Sequence, residues 1–550
     1  MVLAEQAIAF AGKGQFETAL RICAKADHVH QDFLDIMYVR GLIASMQRDY
    51  GTAVEWLARA CQAAPKRTHY FINYASCLYL SGQEDKAVEI YQIVLAKSRH
   101  LFEQANGNFT YGSALEAVGE FNQAMQFFDK GRKLEPRNVE LLMQMADVRN
   151  KLLDKDAAMT LVQKAHAIAP DDVSVLYILG LYLMQQGKVE KAHIHLREAL
   201  TCKPNYLKAL ALLLSSGNYE EREADISTLR TLYNQQVHGS EPRIMGAFAL
   251  GNVADKNKTY EQAFTFWQEG NSQRRARIIY KENEQEELHQ AAKDAFPASR
   301  LTKPAIAEAC AAEHIFIVGM PRCGSTLLEQ ALSRHPALQA SGEIDAMQQA
   351  IVGRMQKVRN RTLIDTLPQL DDLKLGIIGH EYDRRLQQEY HLEGRIVDKT
   401  LNNYQYAGLI ARALPKARII HVRREPLASC LSMFQTDFSG SIPYSFELEE
   451  LGRQYQRYQS LMQHWREALP EGVMLEVSYE DLVNNPEAEL RRLLEGCNLE
   501  WHEECVNTHK ATGSVATASL FQVRKPMHQK SVARWKHYEK QLAPLSKYLQ

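Results

Sequence analysis

The chain has 550 residues, room for three to five domains at the usual ~100–200 residues each, or fewer if part of it is a repeat array. Hydrophobic residues make up 45% and charged residues 24%, which excludes a disordered or fibrous chain. Lys plus Arg total 65 against 66 Asp plus Glu, a net charge of −1; a chain so balanced is no bulk polyanion binder, and no nucleic-acid partner is expected. No run of apolar residues reaches the ~18 that a membrane span requires. The segment Met1 to Phe10 carries Glu5 and no Lys or Arg, so no secretory signal is expected. Nine cysteines, none spaced C-x-x-C, indicate neither a zinc site nor a disulfide framework. A cytoplasmic, reducing location is the expectation.

In chain order, the first feature is a repeat. Short blocks of the form Gly-x-aromatic-x-x-Ala recur, with alanines at Ala19, Ala53, Ala87, Ala124, Ala158 and Ala192, separated by 34, 34, 37, 34 and 34 residues. Pro136, Pro170 and Pro204 are also 34 apart. This period resembles that of the tetratricopeptide family. Each unit is then a helix pair. A small residue such as Gly41, Gly112 or Gly180 lets the first helix approach its neighbour, the alanine does the same for the second, and the proline ends the unit because it cannot extend a helix. One pair cannot bury its apolar face, but a stack can. A degenerate seventh unit is expected at Tyr260 to Ala263, after a less regular stretch from Asn218 to Pro242.

After Pro304 the pattern changes. His314 to Val318 is a short apolar run that predicts a buried parallel strand. Gly319-Met320-Pro321-Arg322-Cys323-Gly324-Ser325-Thr326 follows at once, and then a helical stretch from Leu327 to Arg334. Strand, glycine-bearing turn and helix form the layout of a phosphate cradle, in which turn amides and the helix N-terminus face an anion. The spacing approaches the nucleotide-triphosphate loop G-x-x-x-x-G-K-[ST], but Ser325 stands at the lysine position, so the β/γ-phosphate contact of that class is missing. A P-loop kinase stays open as an alternative at this point. Further strands are predicted at Gly394 to Val397, Ala417 to Val422 and Val473 to Val477. They run into Asp398-Lys399-Thr400, Arg423-Arg424-Glu425-Pro426 and Ser478-Tyr479-Glu480. Ligands of parallel α/β sheets bind at such strand ends.

These residues resemble the sulfotransferases that use 3′-phosphoadenosine-5′-phosphosulfate (PAPS), in particular the tyrosylprotein branch. The resemblance covers about residues 313–540. Pro321 to Thr326 looks like the family's 5′-phosphosulfate loop, and Arg424 to Ser432 like its 3′-phosphate motif. Val477 to Glu480 resembles its nucleotide-side tyrosine segment, and Ser519 to Lys525, with Arg534 and Trp535 beyond, its closing segment. The resemblance implies Arg322, Cys323, Gly324, Ser325, Thr326, Arg424, Ser432, Tyr479, Ser519, Lys525 and Arg534 as donor-binding residues, and no metal. It implies Glu343, 21 residues after Arg322, as catalytic base. Lys399, with Arg322, would stabilise the leaving oxygen. Two departures stand out: Cys323 replaces a usual serine, and Asp345 and Gln349 occupy positions where the tyrosylprotein branch has arginines that hold an acidic peptide.

The expected architecture is an all-α tetratricopeptide solenoid (residues 1–217, about six repeats), an irregular helical region (218–305) and a three-layer α/β sulfotransferase domain with a parallel sheet (306–550). The expected activity is sulfuryl transfer from PAPS to a hydroxyl, tyrosine of a protein or peptide first, a saccharide or small molecule second; the product nucleotide is 3′,5′-ADP. A non-catalytic adaptor with a relic nucleotide site is the competing reading. The repeat array is expected to be either a scaffold that packs on its neighbour domain or a groove that recruits the acceptor protein, peptide or glycan.

Overall fold

A computed structural model describes residues 2–26, 33–97, 105–217, 219–220, 222–304, 306, 309–353, 363–439, 441–507 and 533–549. The chain forms two compact units, Met1–Ala169 and Pro170–Gln550.

The first unit is a series of antiparallel helix pairs, among them Phe33–Met46 with Tyr50–Ala63 and Ala105–Ala117 with Phe121–Leu134. Asp49, Asn138 and Asp154 start their helices by accepting a bond from a backbone N–H of the first turn, satisfying a donor the helix cannot. The repeat alanines Ala19, Ala53, Ala87, Ala124 and Ala158 are all 0% exposed. Twelve residues before each stands another small residue: Ala7, Gly41, Ala75, Gly112 or Ala146. A Cβ on Gly41 would lie 2.5 Å from Leu57 Cγ, and one on Gly112 2.5 Å from Phe128 Cε1. The sequence period is thus a period of close helix approach.

The second unit begins with more such helices: Val173–Gln185, Val189–Cys202, Leu207–Ser215, Arg222–Gln235, Glu241–Lys256, Tyr260–Arg275 and Glu282–Ala295. Gly180 precedes the buried Ala192, and Gly251 precedes the buried Ala263, by the same twelve residues. A Cβ on Gly251 would meet Trp267 Cδ1 at 2.4 Å. The divergent seventh unit therefore keeps the packing rule of the others.

The rest of the unit is a five-stranded sheet: β1 Ile315–Val318, β2 Leu338–Gly342, β3 Arg395–Asp398, β4 Arg418–Arg423 and β5 Met474–Ser478. All pairings are parallel, in the order β2-β3-β1-β4-β5. One face (Ile315, Ile317, Val397, Ile420, Val422, Val477) packs on helices Ser325–Leu332 and Pro486–Gly496. On the other, Phe316 meets Tyr382 of helix Asp372–Gln388, and His421 meets Tyr458 of helix Leu448–Ala468. Burial on both faces explains the continuous apolar strands. β2 was not predicted: Leu-Gln-Ala-Ser-Gly is a half-exposed edge strand without an apolar run. The chain leaves central β1 toward β2 on one side and reaches β4 on the other, so the crevice opens at the carboxyl end of β1. Among the described residues no helix is long and apolar enough to cross a membrane.

Candidate active site

The loop after β1 is set by backbone crowding. A Cβ at Gly319 would lie 2.6 Å from the Val422 carbonyl oxygen, so only glycine lets the loop pass over β4. Gly324 has φ +101°, a conformation glycine adopts without penalty, and a Cβ there would meet Tyr479 Cδ2 at 2.3 Å. Arg322, with φ 68°, accepts the left-handed conformation that a side chain resists. No side chain caps the helix Ser325–Leu332, so its first-turn N–H groups face the turn. Ser325 and Thr326 are buried at that end. Cys323 is buried, and burial pushes its thiol pKa up; such a thiol is inert rather than redox-poised.

On the β4 side of the loop, three guanidinium groups converge. Arg322 Nε donates to Ser432 Oγ at 2.9 Å. Arg424 Nη1 donates to the Arg322 carbonyl at 3.0 Å, with its guanidinium 4.8 Å from the Tyr479 ring centre. Arg534, with Arg424 and Ser432, lines a cleft of about 30 Å³. Burial and the neighbouring charges of Arg424 and Arg534 pull Arg322 down to about 10; burial lowers Arg424 as well. Cations packed this closely repel one another until an anion enters.

On the β3 side, Lys399 is 0% exposed, and its Nζ donates to Glu343 Oε1 at 2.6 Å. Glu329, on the loop helix, places Oε2 3.9 Å away. Burial disfavours the ammonium charge, but Glu329 and Glu343 outweigh it and hold the Lys399 pKa above its ordinary value. Glu343 is 59% exposed along its side chain, just past a register shift in β2 between Ala340 and Gly342. The Lys399 amide donates to the Gly342 carbonyl at 3.0 Å, locking the two strand ends together. Asp398, raised by burial, accepts from Tyr382 Oη and the Thr400 amide, both at 2.8 Å.

The residues named from sequence thus fall into two groups flanking one loop: Arg322, Arg424, Ser432, Tyr479 and Arg534 on one side, Glu343 and Lys399 on the other. Ser519 and Lys525 lie outside the described residues. Gln349 accepts from the buried Arg385 at 2.9 Å, while Asp345 is exposed. Sequence reasoning missed Glu329; its signal was an acid one turn into the loop helix, on a buried face.

The parallel α/β sheet thus carries a glycine-bearing loop at its topological switch point, with a carboxylate–ammonium pair beside it. Residues 314–503 match the model of the sulfotransferase family, and residues 5–68 match a tetratricopeptide repeat model. The chain thus carries a tetratricopeptide region at its N-terminus and a sulfotransferase domain at its C-terminus. It is 29% identical over 414 residues to an uncharacterized protein of Aquifex aeolicus, covering 73% of this chain and 53% of that one. It is 24% identical over 246 residues to protein-tyrosine sulfotransferase 1 of Danio rerio, covering 40% of this chain and 65% of that one. The chain therefore spans about half to two thirds of the length of these two relatives. A solved sulfotransferase domain from the Synechococcus PCC 7002 olefin synthase overlaps 42% of this chain and 88% of its own length, at 18% identity and a TM-score of 0.32.

Proposed function

We propose that the protein transfers a sulfuryl group from PAPS to an acceptor hydroxyl, tyrosine of a protein or peptide first. The observation that carries this reading is the pairing of two devices on one loop: a three-arginine anion pocket, and a buried ammonium held against an exposed carboxylate. The residues fit the donor. Arg424, Ser432 and Arg534 offer charge-assisted bonds to a 3′-phosphate, and the loop amides with Ser325 and Thr326 face a 5′-phosphosulfate. PAPS, when bound, supplies an activated sulfuryl group on a phosphate leaving oxygen.

Glu343 takes the proton of the acceptor hydroxyl, a step worth roughly 10²–10⁴-fold. Its exposure leaves it open to a large acceptor. A phenol, with pKa about 10, gives up that proton more readily than an alcohol. Lys399, fixed by two carboxylates, places a positive charge where negative charge develops. Arg322 adds a second cation across the loop. Exposed Asp345 disfavours flanking acids, so the expected peptide acceptor is a tyrosine without an acidic context. The tetratricopeptide region is the part we assign to acceptor recruitment. Nine free cysteines suit a reducing, cytoplasmic compartment.

Labelled-sulfate transfer from PAPS, assayed on tyrosine peptides, saccharides and small phenols, tests the reading. Transfer is expected, and Glu343→Ala should lower it at least ~10²-fold while 3′,5′-ADP binding persists. Binding without transfer to any acceptor would favour the adaptor reading; phosphate transfer from ATP would replace the donor.

A further inference from the structure

Arg534 does not reach the anion pocket unaided. It lies far in sequence from the loop, and its orientation is set by a helix outside the sulfotransferase match. Arg534 Nε donates to Asp255 Oδ1 at 3.2 Å, its Nη2 pairs with Asp255 Oδ2, and Nη2 also donates to Gln435 Oε1 at 2.9 Å. Asp255 belongs to helix Glu241–Lys256. Tyr538 Oη donates to Asp255 Oδ1 at 2.5 Å and fixes the carboxylate. The next helix, Tyr260–Arg275, holds the other wall: Asn271 Nδ2 donates to the Phe434 carbonyl at 2.7 Å, at the end of the helix that bears Ser432. Arg274 pairs with Asp437 just beyond, at 2.7 Å.

We propose that Asp255 is a positioning residue for the donor site, holding the Arg534 guanidinium over the cleft shared with Arg424 and Ser432, so that the last repeat-like helix pair is part of the nucleotide pocket. The proposal rests on the reading of that cleft as the 3′-phosphate site. The physical need is plain. Arg322, Arg424 and Arg534 repel one another, and the Arg534 side chain is one third exposed, so without a counter-charge it turns to solvent. Asp255 supplies the counter-charge at Nε and Nη2, and Gln435 shares Nη2; Nη1 is the nitrogen that neither holds, and it is the one offered to the ligand in the cleft. Guanidinium suits this because its planar fork grips the carboxylate through Nε and Nη2 while Nη1 points to a different edge; a lysine carries all three donors on one nitrogen and cannot hold the carboxylate in that bidentate way.

Calorimetric binding of 3′,5′-ADP and of 5′-AMP to the full chain tests this. Asp255→Asn should weaken 3′,5′-ADP about tenfold or more, the loss of one charge-assisted contact, and leave 5′-AMP unchanged. Arg534→Ala should do the same, and the double variant should be no weaker than Arg534→Ala alone, since both act through one contact. Arg534→Lys keeps the charge and loses the fork; it should behave like Arg534→Ala, which tests positioning even if Asp255→Asn fails to fold. Equal losses for both nucleotides, additive losses in the double variant, or wild-type affinity in Arg534→Lys would overturn the proposal. A wild-type protein that does not prefer 3′,5′-ADP over 5′-AMP would overturn the donor reading and this inference with it.

Discussion

Replacing Lys399 by methionine separates chemistry from stability at the strand-end ion pair. The side chain is wholly buried, and methionine fills nearly the same volume. Two carboxylates lose their cation: Glu343 at 2.6 Å, 59% exposed, and Glu329 at 3.9 Å, 10% exposed. Glu343 returns to water at little cost. Glu329 does not, and breaking a fully buried pair costs about 3–5 kcal/mol. With one partner hydrated and the other beyond hydrogen-bond distance, roughly 2 kcal/mol of stability is the expected loss. The loss in transfer should be larger, because a fixed charge aimed at a developing oxyanion is worth about 10²–10³-fold in turnover. Glu329→Gln in the Lys399→Met background removes the buried carboxylate charge that faced Lys399. That double variant should regain stability to within ~1 kcal/mol yet stay as inactive as Lys399→Met. Denaturant unfolding reads the first quantity and labelled-sulfate transfer the second. If Lys399→Met turns over within about threefold of wild type, or if the double variant recovers transfer along with stability, Lys399 acts only as a structural cation.

Two further outcomes follow from single positions. Gly324→Ala must place a methyl group where Tyr479 Cδ2 lies 2.3 Å away, at a φ of +101°; it should displace Tyr479 from Arg424 and weaken 3′,5′-ADP binding by at least about tenfold, and unchanged calorimetric affinity would show that the tyrosine is not part of the pocket. His289 is buried, and burial holds its pKa down to about 4. The unfolded chain then takes up its proton first as pH falls. Its contribution to stability is complete above pH ~6.5 and is lost progressively as pH drops toward about 4, on the order of 3 kcal/mol in all. His289→Gln should flatten the unfolding midpoint over that window; an unaltered pH slope would remove His289 as the cause.

The parts of the molecule that were legible in the sequence are those whose physics is local or periodic. The tetratricopeptide pattern is readable because close helix approach demands a small residue at a fixed place in each helix of each repeat, and Ala19, Ala53 and Gly41 meet that demand in sequence as in space. The central strands β1, β3 and β4 are readable because burial on both faces makes their interiors mainly apolar; the buried exceptions, Asp398 and His421, are bonded to Tyr382 and to Tyr458 and Glu476. Edge strand β2 carries no such signal: it is half exposed, and its pairing to β3 rests on backbone bonds that any residue can make. The loop from Gly319 to Thr326 is readable because its glycines answer to steric limits a few residues away.

The site's remaining groups escape because they answer to distant partners. Glu329 is an ordinary helical acid until β3 brings Lys399 beside it. Asp255 is 279 residues from Arg534, and Asn271 is 163 from the carbonyl it holds; no local pattern encodes either bond. The same distance gives the structure its functional logic. The strand ends of the sheet fix one wall of the candidate anion pocket, but the third arginine arrives from the C-terminal segment and needs an anchor that the sheet does not supply. Helix Glu241–Lys256 supplies it, and the small-residue rule that packs Gly251 against Trp267 keeps that helix in register with its neighbour. A repeat-type packing constraint thereby fixes the position of a candidate donor-binding side chain, which is why substitutions deep in the helical region, away from every strand end, should be read in nucleotide affinity and not in stability alone.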